Sequence, residues 1–448
     1  MPISNIINVA RRALTAHQSA IDTIAKNIAN VNTDGYKRRR VDLSALNSNG
    51  LRDAGFTQDN MARIRQRFIE NQLYYENQNL SKYEMDRMIM TQIENIFGEP
   101  NDSGLINVMS EFWNSWNDLA NDPESQYART IVHDKGVVLA NTFNRIHSDL
   151  INLNQQICND IREKVTQVNQ IINQIKSINQ QINANYSDDL MDQRDLLVTE
   201  LTNLMNIDTR ESANGEITVS INGQIIVSND YVNELVVNTS FENGISITNI
   251  YLSEGMRPIN INSGEVGSLI EINNRQIPDY VDKLDTLARS ITEQVNTIHY
   301  KGYNLDGTTG KIFFSDNISG ARDFKVSDDV YNDPSIIASG GSVDKPGDGS
   351  IAQDIFDIQF YQFVQGSTVF DFHNSTVSQI GSKVQESEFL SRSAEMMVQN
   401  LQNQRDSVSG VSLDEEITNL IKHEQAYQAA ARMVSTVDEM MRTVLNML

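Results

Sequence analysis

Apolar residues recur at steps of three and four along both ends of this 448-residue chain. At the start they run Ile3, Ile6, Ala10, Ala13, His17, Ile21, Ile24 and Ile28, with Leu14 alongside. At the end they run Leu413, Ile417, Leu420, Glu424, Tyr427, Ala431, Val434, Asp438, Met441, Leu445 and Leu448. That spacing lines side chains along one helix face. It predicts a first helix ending near Asn30 and a last helix beginning after Ser409-Gly410. Neither seam has globular sequence outside it, so each is expected to find its cover in the other terminus or in another molecule. Chain ends ordinarily fray; adhesive ends point to a protein that works by assembling.

The interior pattern is mostly helical too. Helices are expected over 61–97, after the cap cluster Asn101-Asp102-Ser103, and from Asp122-Pro123-Glu124 onward. The last of these carries a stripe from Ile146 through Ile161, Ile172, Ile175 and Ile178 to Ile182, a rod about 90 Å long at 1.5 Å per residue. Its other faces are rich in Asn and Gln. A short helix follows over 190–197. The period then changes to two, as in Ile217, Val219 and Ile221, with turn signals at Asn214-Gly215, Asn222-Gly223 and Asn243-Gly244. Helical periodicity returns over 267–300, 350–363 and 371–407. The expected fold is mainly α with a small antiparallel β part and discontinuous domains. Residues 1–35 with 410–448 form a paired terminal domain, and 36–60 a linker. Residues 61–305 with 350–409 form a helical rod bearing a β insertion at 207–252. Residues 306–349 form a short excursion.

Charge narrows the partners. The formal net charge of −23 argues against nucleic acid or an anionic membrane, which need a cationic surface. Residues 1–67 are nevertheless net positive, with the run Lys37-Arg38-Arg39-Arg40 at their centre. This run reads as a solvated basic loop or as a contact for acidic neighbours. The single cysteine, Cys158, excludes an intramolecular disulfide and is expected as a buried thiol. No apolar run reaches membrane-spanning length, and the start lacks a secretory signal pattern, so export would use a route without a cleaved signal.

No constellation supports chemistry. The six histidines lack the two-His-plus-Glu helical motif, and no phosphate loop, dinucleotide fingerprint or nucleophile elbow occurs. His17 is expected as a hydrogen-bonded interface residue, and His423 as solvated or at an interface. Asp306-Gly307-Thr308-Thr309-Gly310 reads as a turn, because it lacks the later oxygen ligands of a calcium loop. No catalytic, cofactor or metal site is predicted.

The segment Ala25 to Tyr36, AKNIANVNTDGY, resembles the amino-terminal signature of bacterial flagellar axial proteins, the rod, hook and hook-associated proteins. Ser409 to Leu448 resembles their carboxy-terminal signature. Leu190 to Leu201, and 296–314 with His299, Gly302, Asp306, Gly307, Gly310 and Phe313-Phe314, are similar to the hook-associated protein 1 (FlgK) family. The resemblance covers essentially the whole chain. Many relatives carry a larger β domain after the Phe-Phe segment; here 324–349 crosses back in about 25 residues, so that outer domain is expected to be missing or vestigial. The family implies a structural adaptor, not an enzyme, at the hook–filament junction, in an external or periplasmic flagellum. It implies export by the flagellar type III route and four partners: sibling copies, the hook protein, hook-associated protein 3 and an export chaperone. The family turn maps to Asn30, Asn32, Thr33, Gly35 and Tyr36. The subunit interface is expected at Ile3, Ile6, Ala10, Leu14, Ile21, Ile24, Ile28, Leu413, Ile417, Leu420, Tyr427, Val434, Met441 and Leu445. The chaperone is expected on Leu413, Ile417, Leu420, Tyr427, Val434 and Met441. The termini are expected to order on assembly, with Glu424 and Asp438 fixing register. Another axial protein such as hook or distal rod, an unrelated secreted adhesin or effector, and a hydrolase in the β region stay open as alternatives.

Overall fold

One long helix organises the rod. A computed structural model describes residues 3–33, 35–41, 60–98, 104–212, 214–343 and 345–446. In chain order the first helices are α1 (Ile3–Ala29), α2 (Asn60–Phe97), α3 (Leu105–Asn121), α4 (Gln126–Ala184) and α5 (Asp188–Leu204). Six strands follow: β1 (Asp208–Glu211), β2 (Ile217–Ile221), β3 (Gln224–Val227), β4 (Leu235–Glu242), β5 (Ile245–Leu252) and β6 (Arg257–Pro258). The chain returns through α6 (Gly264–Glu271), α7 (Ile277–His299), α8 (Asp328–Asn332), α9 (Ser350–Asp357), α10 (Val369–Ser409) and α11 (Leu413–Asn446). A π-helical turn, Ile272–Gln276, links α6 to α7. The expected cap Asn101-Asp102-Ser103, residues 42–59 of the expected linker, Leu448, and the side chains of Ile3 and Leu445 lie outside the described residues.

α4 has 59 residues, and its start is capped by Ser125, whose hydroxyl accepts the Ala128 N–H at 3.2 Å. Its apolar stripe is buried from Ile146 to Ile182, against α3, α5 and the strands. The stripe departs from expectation at one place: Asn179 is buried where Ile178 was expected. Asn179 accepts the Ile217 N–H at 3.1 Å and donates to the Ile217 carbonyl at 2.8 Å. Asn169 clasps Leu235 in the same way at 2.9 and 2.9 Å, and Asn154 clasps Ser246 at 2.9 and 3.0 Å. From the π turn, Asn274 does this for Thr248 at 2.9 and 2.7 Å. An amide side chain offers the donor and acceptor of a peptide group. The Asn-rich faces of α4 therefore supply hydrogen bonds that a neighbouring strand would otherwise supply.

The β part is two sheets rather than one, with orders β1-β2-β3 and β4-β5-β6, all antiparallel. Asn222-Gly223 and Asn243-Gly244 make the β2–β3 and β4–β5 turns, with φ of 49° and 80°, and 53° and 83°. Two successive positive φ values suit the twist of a tight hairpin.

α2 and α10 pack antiparallel. Ile69 and Leu73 meet Val398 and Leu401 at one end, and Phe97 lies 6.2 Å from His373 at the other. Ser387, Ser391 and Ala394 are buried along α10, where small side chains allow close approach. Segment 306–349, expected as a short excursion, lies back on the rod. Phe313, Phe314 and Phe324 are buried with Phe112, Trp116 and Phe143 in one aromatic group.

His299 fastens this segment from beneath. It is fully buried; its Nδ1–H donates to the Lys311 carbonyl at 2.8 Å, and its Nε2 accepts the Ala338 N–H at 3.0 Å. Burial drives its pKa down to about 4. The unfolded chain binds a proton near pH 6.5 that the folded chain refuses, so stability falls as pH drops from 6.5 toward 4. The expected loss reaches about 3 kcal/mol at pH 4. Urea unfolding of wild type and His299→Gln at several pH values checks this. The wild type should lose more stability than the variant between pH 6.5 and 4, by about that amount.

Candidate assembly interface

α1 and α11 lie antiparallel. His17 is opposite His423, and Asn27 is opposite Glu416. The amino-terminal seam buries Ala10, Ala20, Ile24 and Asn27. The carboxy-terminal seam buries Glu416, Ala430 and Val437, with Leu420, Tyr427 and Val434 half-buried. Each terminal seam thus has a partner within its own chain.

Half of the expected α11 stripe, Leu420, Tyr427 and Val434, stays on the seam, and the other half is shifted by one residue. Positions 416, 423, 430 and 437 turn inward in place of 417, 424, 431 and 438. Glu424 and Asp438 are exposed, so the register-setting polar residue is Glu416 instead. The physical reason is that α11 carries two overlapping stripes. Each has one large aliphatic and one alanine, and the second turns inward because Asn27 and Arg38 bind the Glu416 carboxylate and His17 meets His423. Likewise Ile21 and Ile28 are half-buried, because Ala20 and Asn27 take the inward positions. Ile6 and Leu14 are also half-buried. Leu413, Ile417 and Met441 are 44%, 47% and 42% exposed, which leaves them free for a further contact.

The family turn closes α1. Asn30 Nδ2 donates to the Lys26 carbonyl at 2.9 Å, Thr33 Oγ1 donates to Asn30 Oδ1 at 3.2 Å, and the Tyr36 N–H reaches the Thr33 carbonyl at 3.2 Å. Asn32 is exposed. Gly35 has φ of 78°, and a Cβ there would stand 2.6 Å from Leu196 of α5. Both facts require glycine.

Beyond the turn the basic run is spent on acids of this same chain, which overturns its reading as a solvated loop. Lys37 pairs with Glu70 of α2 at 2.6 Å and with Asp195 of α5. Arg38 pairs with Glu416 at 2.7 Å and Glu415 at 2.6 Å on α11. Arg39 pairs with Asp189 at 2.6 Å and Asp192 at 3.3 Å on α5. Arg40 is exposed. Three consecutive cations therefore tie the terminal pair to two rod helices and to itself.

Sequence reasoning missed the residue at the centre, Asn27. It is fully buried and all four hydrogen bonds of its amide are made. Its Nδ2 donates to Glu416 Oε2 and to the Arg39 carbonyl, both at 2.9 Å. Its Oδ1 accepts the Tyr36 hydroxyl at 2.9 Å and the Arg39 N–H at 3.1 Å. The available signal was its place inside AKNIANVNTDGY, on an otherwise apolar helix face.

The electrostatics follow from this packing. Burial opposes the charge of Lys37, but Asp195 and Glu70 outweigh it and raise its pKa. Burial also works against Asp195, yet the Lys37 and Arg194 cations hold it below the usual carboxylate range. Asp192 goes the other way: burial pushes it up to about 6 despite Lys37 and Arg39. Among the described residues no group of three or more His, Cys, Asp and Glu is placed to hold a metal ion. No described helix is long and apolar enough to cross a membrane.

Two adhesive chain ends are thus folded into one pair and tied to a helical rod. Residues 7–37 match the flagella basal body rod protein family, and 402–447 match the carboxy-terminal region of the flagellar basal body rod FlgEFG proteins. Residues 90–314, half of the chain, match the helical domain of flagellar hook-associated protein FlgK; the chain belongs to the FlgK family. It is similar to flagellar hook-associated protein 1 of Bacillus subtilis, 29% identical over 98% of this chain and 97% of that one. It is also similar to the same protein of Salmonella typhimurium, 26% identical over 99% of this chain and 100% of that one. In fold it resembles the flagellar hook junction protein FlgK from Burkholderia pseudomallei, with a TM-score of 0.50 and 22% identity over 55% of this chain and 46% of that chain.

Glu416 and Glu415 should behave differently. Glu416 has 3% of its side chain exposed and Glu415 has 59%. Glu416→Ala leaves the Arg38 guanidinium and the Asn27 amide short of a buried partner, at a cost of about 3 kcal/mol. Glu415→Ala removes an exposed partner, at a cost of about 0.5 kcal/mol. Hydrogen exchange across α1 and α11 should rise far more in the first variant than in the second.

Proposed function

We propose that the chain is a structural adaptor at the junction between flagellar hook and filament, and that it self-assembles through the outer face of its α1/α11 pair. The observation that carries this reading is the second apolar face left when the seam closes. Ile7, Leu14, Ile21 and Ile28 repeat every seven residues along one flank of α1, all half-buried. Leu413, Ile417 and Ile421 stand exposed on α11, at 44%, 47% and 50%. Fully burying one such side chain contributes roughly 1.5–3 kcal/mol. Sibling copies cover this face, and because the contact repeats without closing on itself it builds a helical tube.

The hook protein and hook-associated protein 3 are the neighbours below and above, as the family resemblance implies. The chain reaches them by flagellar type III export and is located in the flagellum. This role is structural rather than enzymatic. The export chaperone binds α11. Of its expected contacts, Leu413, Ile417 and Met441 are accessible, while Leu420, Tyr427 and Val434 face α1. A chaperone that takes the whole stripe must therefore displace α1. Terminal order before assembly is then a matter of competition between α1 and the chaperone.

The assignment is tested by the deletion of 413–448 and by Ile417→Asp. The exposed substitution should change stability by less than about 0.5 kcal/mol. Both variants should fail to attach filaments to isolated hooks. Normal attachment by the deletion variant would refute the assembly reading.

A further inference from the structure

Midway along the seam the Nδ1 atoms of His17 and His423 lie 3.1 Å apart, with ring centroids at 5.3 Å and planes inclined by 48°. Both rings are half-buried, and the assembly reading uses neither. The positions one turn away are Ala13, Leu14, Ala20 and Ile21 on α1, and Asn419, Leu420, Ala426 and Tyr427 on α11. These are the helix positions that share the seam, and none is charged. The nearest charges along the chain are Lys422 and Glu424 beside His423, and Arg12 and Asp22 on α1, all four exposed. Among the described residues of α1 and α11, no carboxylate occupies a facing position that would neutralise a charged pair.

Two facing Nδ1 atoms at this distance hold one hydrogen between them. In the neutral pair one ring donates Nδ1–H to the lone pair of the other. A first added proton goes to the far nitrogen of the donor ring and leaves that bond in place. A second must go on the acceptor Nδ1. It abolishes the bond and sets two cations against each other across the seam. Burial, with His17 and Lys422, already holds His423 below the usual imidazole range.

We propose that the His17–His423 pair is a proton-operated latch on the terminal helices: the seam is closed while the pair carries at most one added proton and opens when both rings must be charged. Separated rings can each take a proton without facing a second cation across the seam. The open state therefore holds more protons, and opening increases as pH falls. Below about pH 6 the open state carries two added protons and the closed state one, so opening approaches tenfold per pH unit. On the proposed function, acid would loosen the assembly domain. The latch itself concerns the free chain and stands whether or not that assignment does.

The test is hydrogen exchange of the full free chain at pH 7.5 and 5.5, expressed as protection of α1 and α11 amides relative to α4. Wild type should lose at least tenfold relative protection in the terminal pair. His17→Gln, which keeps a hydrogen-bonding amide and cannot titrate, should lose less than about twofold on the same linkage argument. Equal loss in both proteins, or no loss in the wild type, overturns the proposal. If His17→Gln fails to close the seam, imidazole NMR of wild type decides. Two coupled steps, the second well below pH 6, support the latch; two independent steps near pH 6.5 refute it.

Discussion

The terminal helices depend on one buried ion pair. Arg38 and Glu416 meet at 2.7 Å with 9% and 3% of their side chains exposed, and Asn27 closes the other side of the same carboxylate. Taking both charges from water is costly unless geometry and further hydrogen bonds compensate. Here every amide atom of Asn27 is used, and Arg38 has a second carboxylate in Glu415. The arrangement works only in one register. Sliding α11 by a turn would remove Glu416 from both partners and leave the Arg38 cation and the Asn27 amide unsatisfied. The apolar part of the seam, where Ala20 and Ala430 are buried, could not impose such a choice alone. Register and the join to the rod are therefore set by the same atoms. Arg38 belongs to the run whose neighbours, Lys37 and Arg39, bind α2 and α5.

This explains which parts of the fold were legible in the sequence. Helices, their order and the β excursion follow from periodicity and from Gly turns, because those signals are local. The 59-residue α4 and the terminal pairing were accessible for this reason. What periodicity could not settle was rotation by one residue. On α11 the stripe through Ile417 and Glu424 and the one through Glu416 and His423 are about equally apolar, each with one large aliphatic, one alanine and two polar residues, so hydrophobicity cannot choose between them. A carboxylate becomes a seam residue only when an Arg from far away in the chain is delivered to it, and that is a tertiary fact.

The Asn residues of α4 make the same point. Asn154 and Asn179 are wholly buried, and each does the work of a missing strand neighbour. On a helical wheel they interrupt a stripe or disappear among other polar positions. Their role appears only when the partner strand is in place. Likewise the basic run reads as solvated until the acids of α5 are folded beside it.

The assignment thus depends on a surface rather than a pocket: one seam closed within the chain, and an adjacent apolar flank left for copies of it. The measurement that bears on this most directly is an electron cryo-microscopy map of an intact hook–filament junction carrying this chain. The account predicts that every copy pairs its own α1 with its own α11, Asn27 opposite Glu416, with the Ile7–Ile28 flank and Leu413, Ile417 and Ile421 covered by neighbouring copies. A map in which α1 pairs with α11 of another copy, or in which that flank faces open solvent, would contradict it.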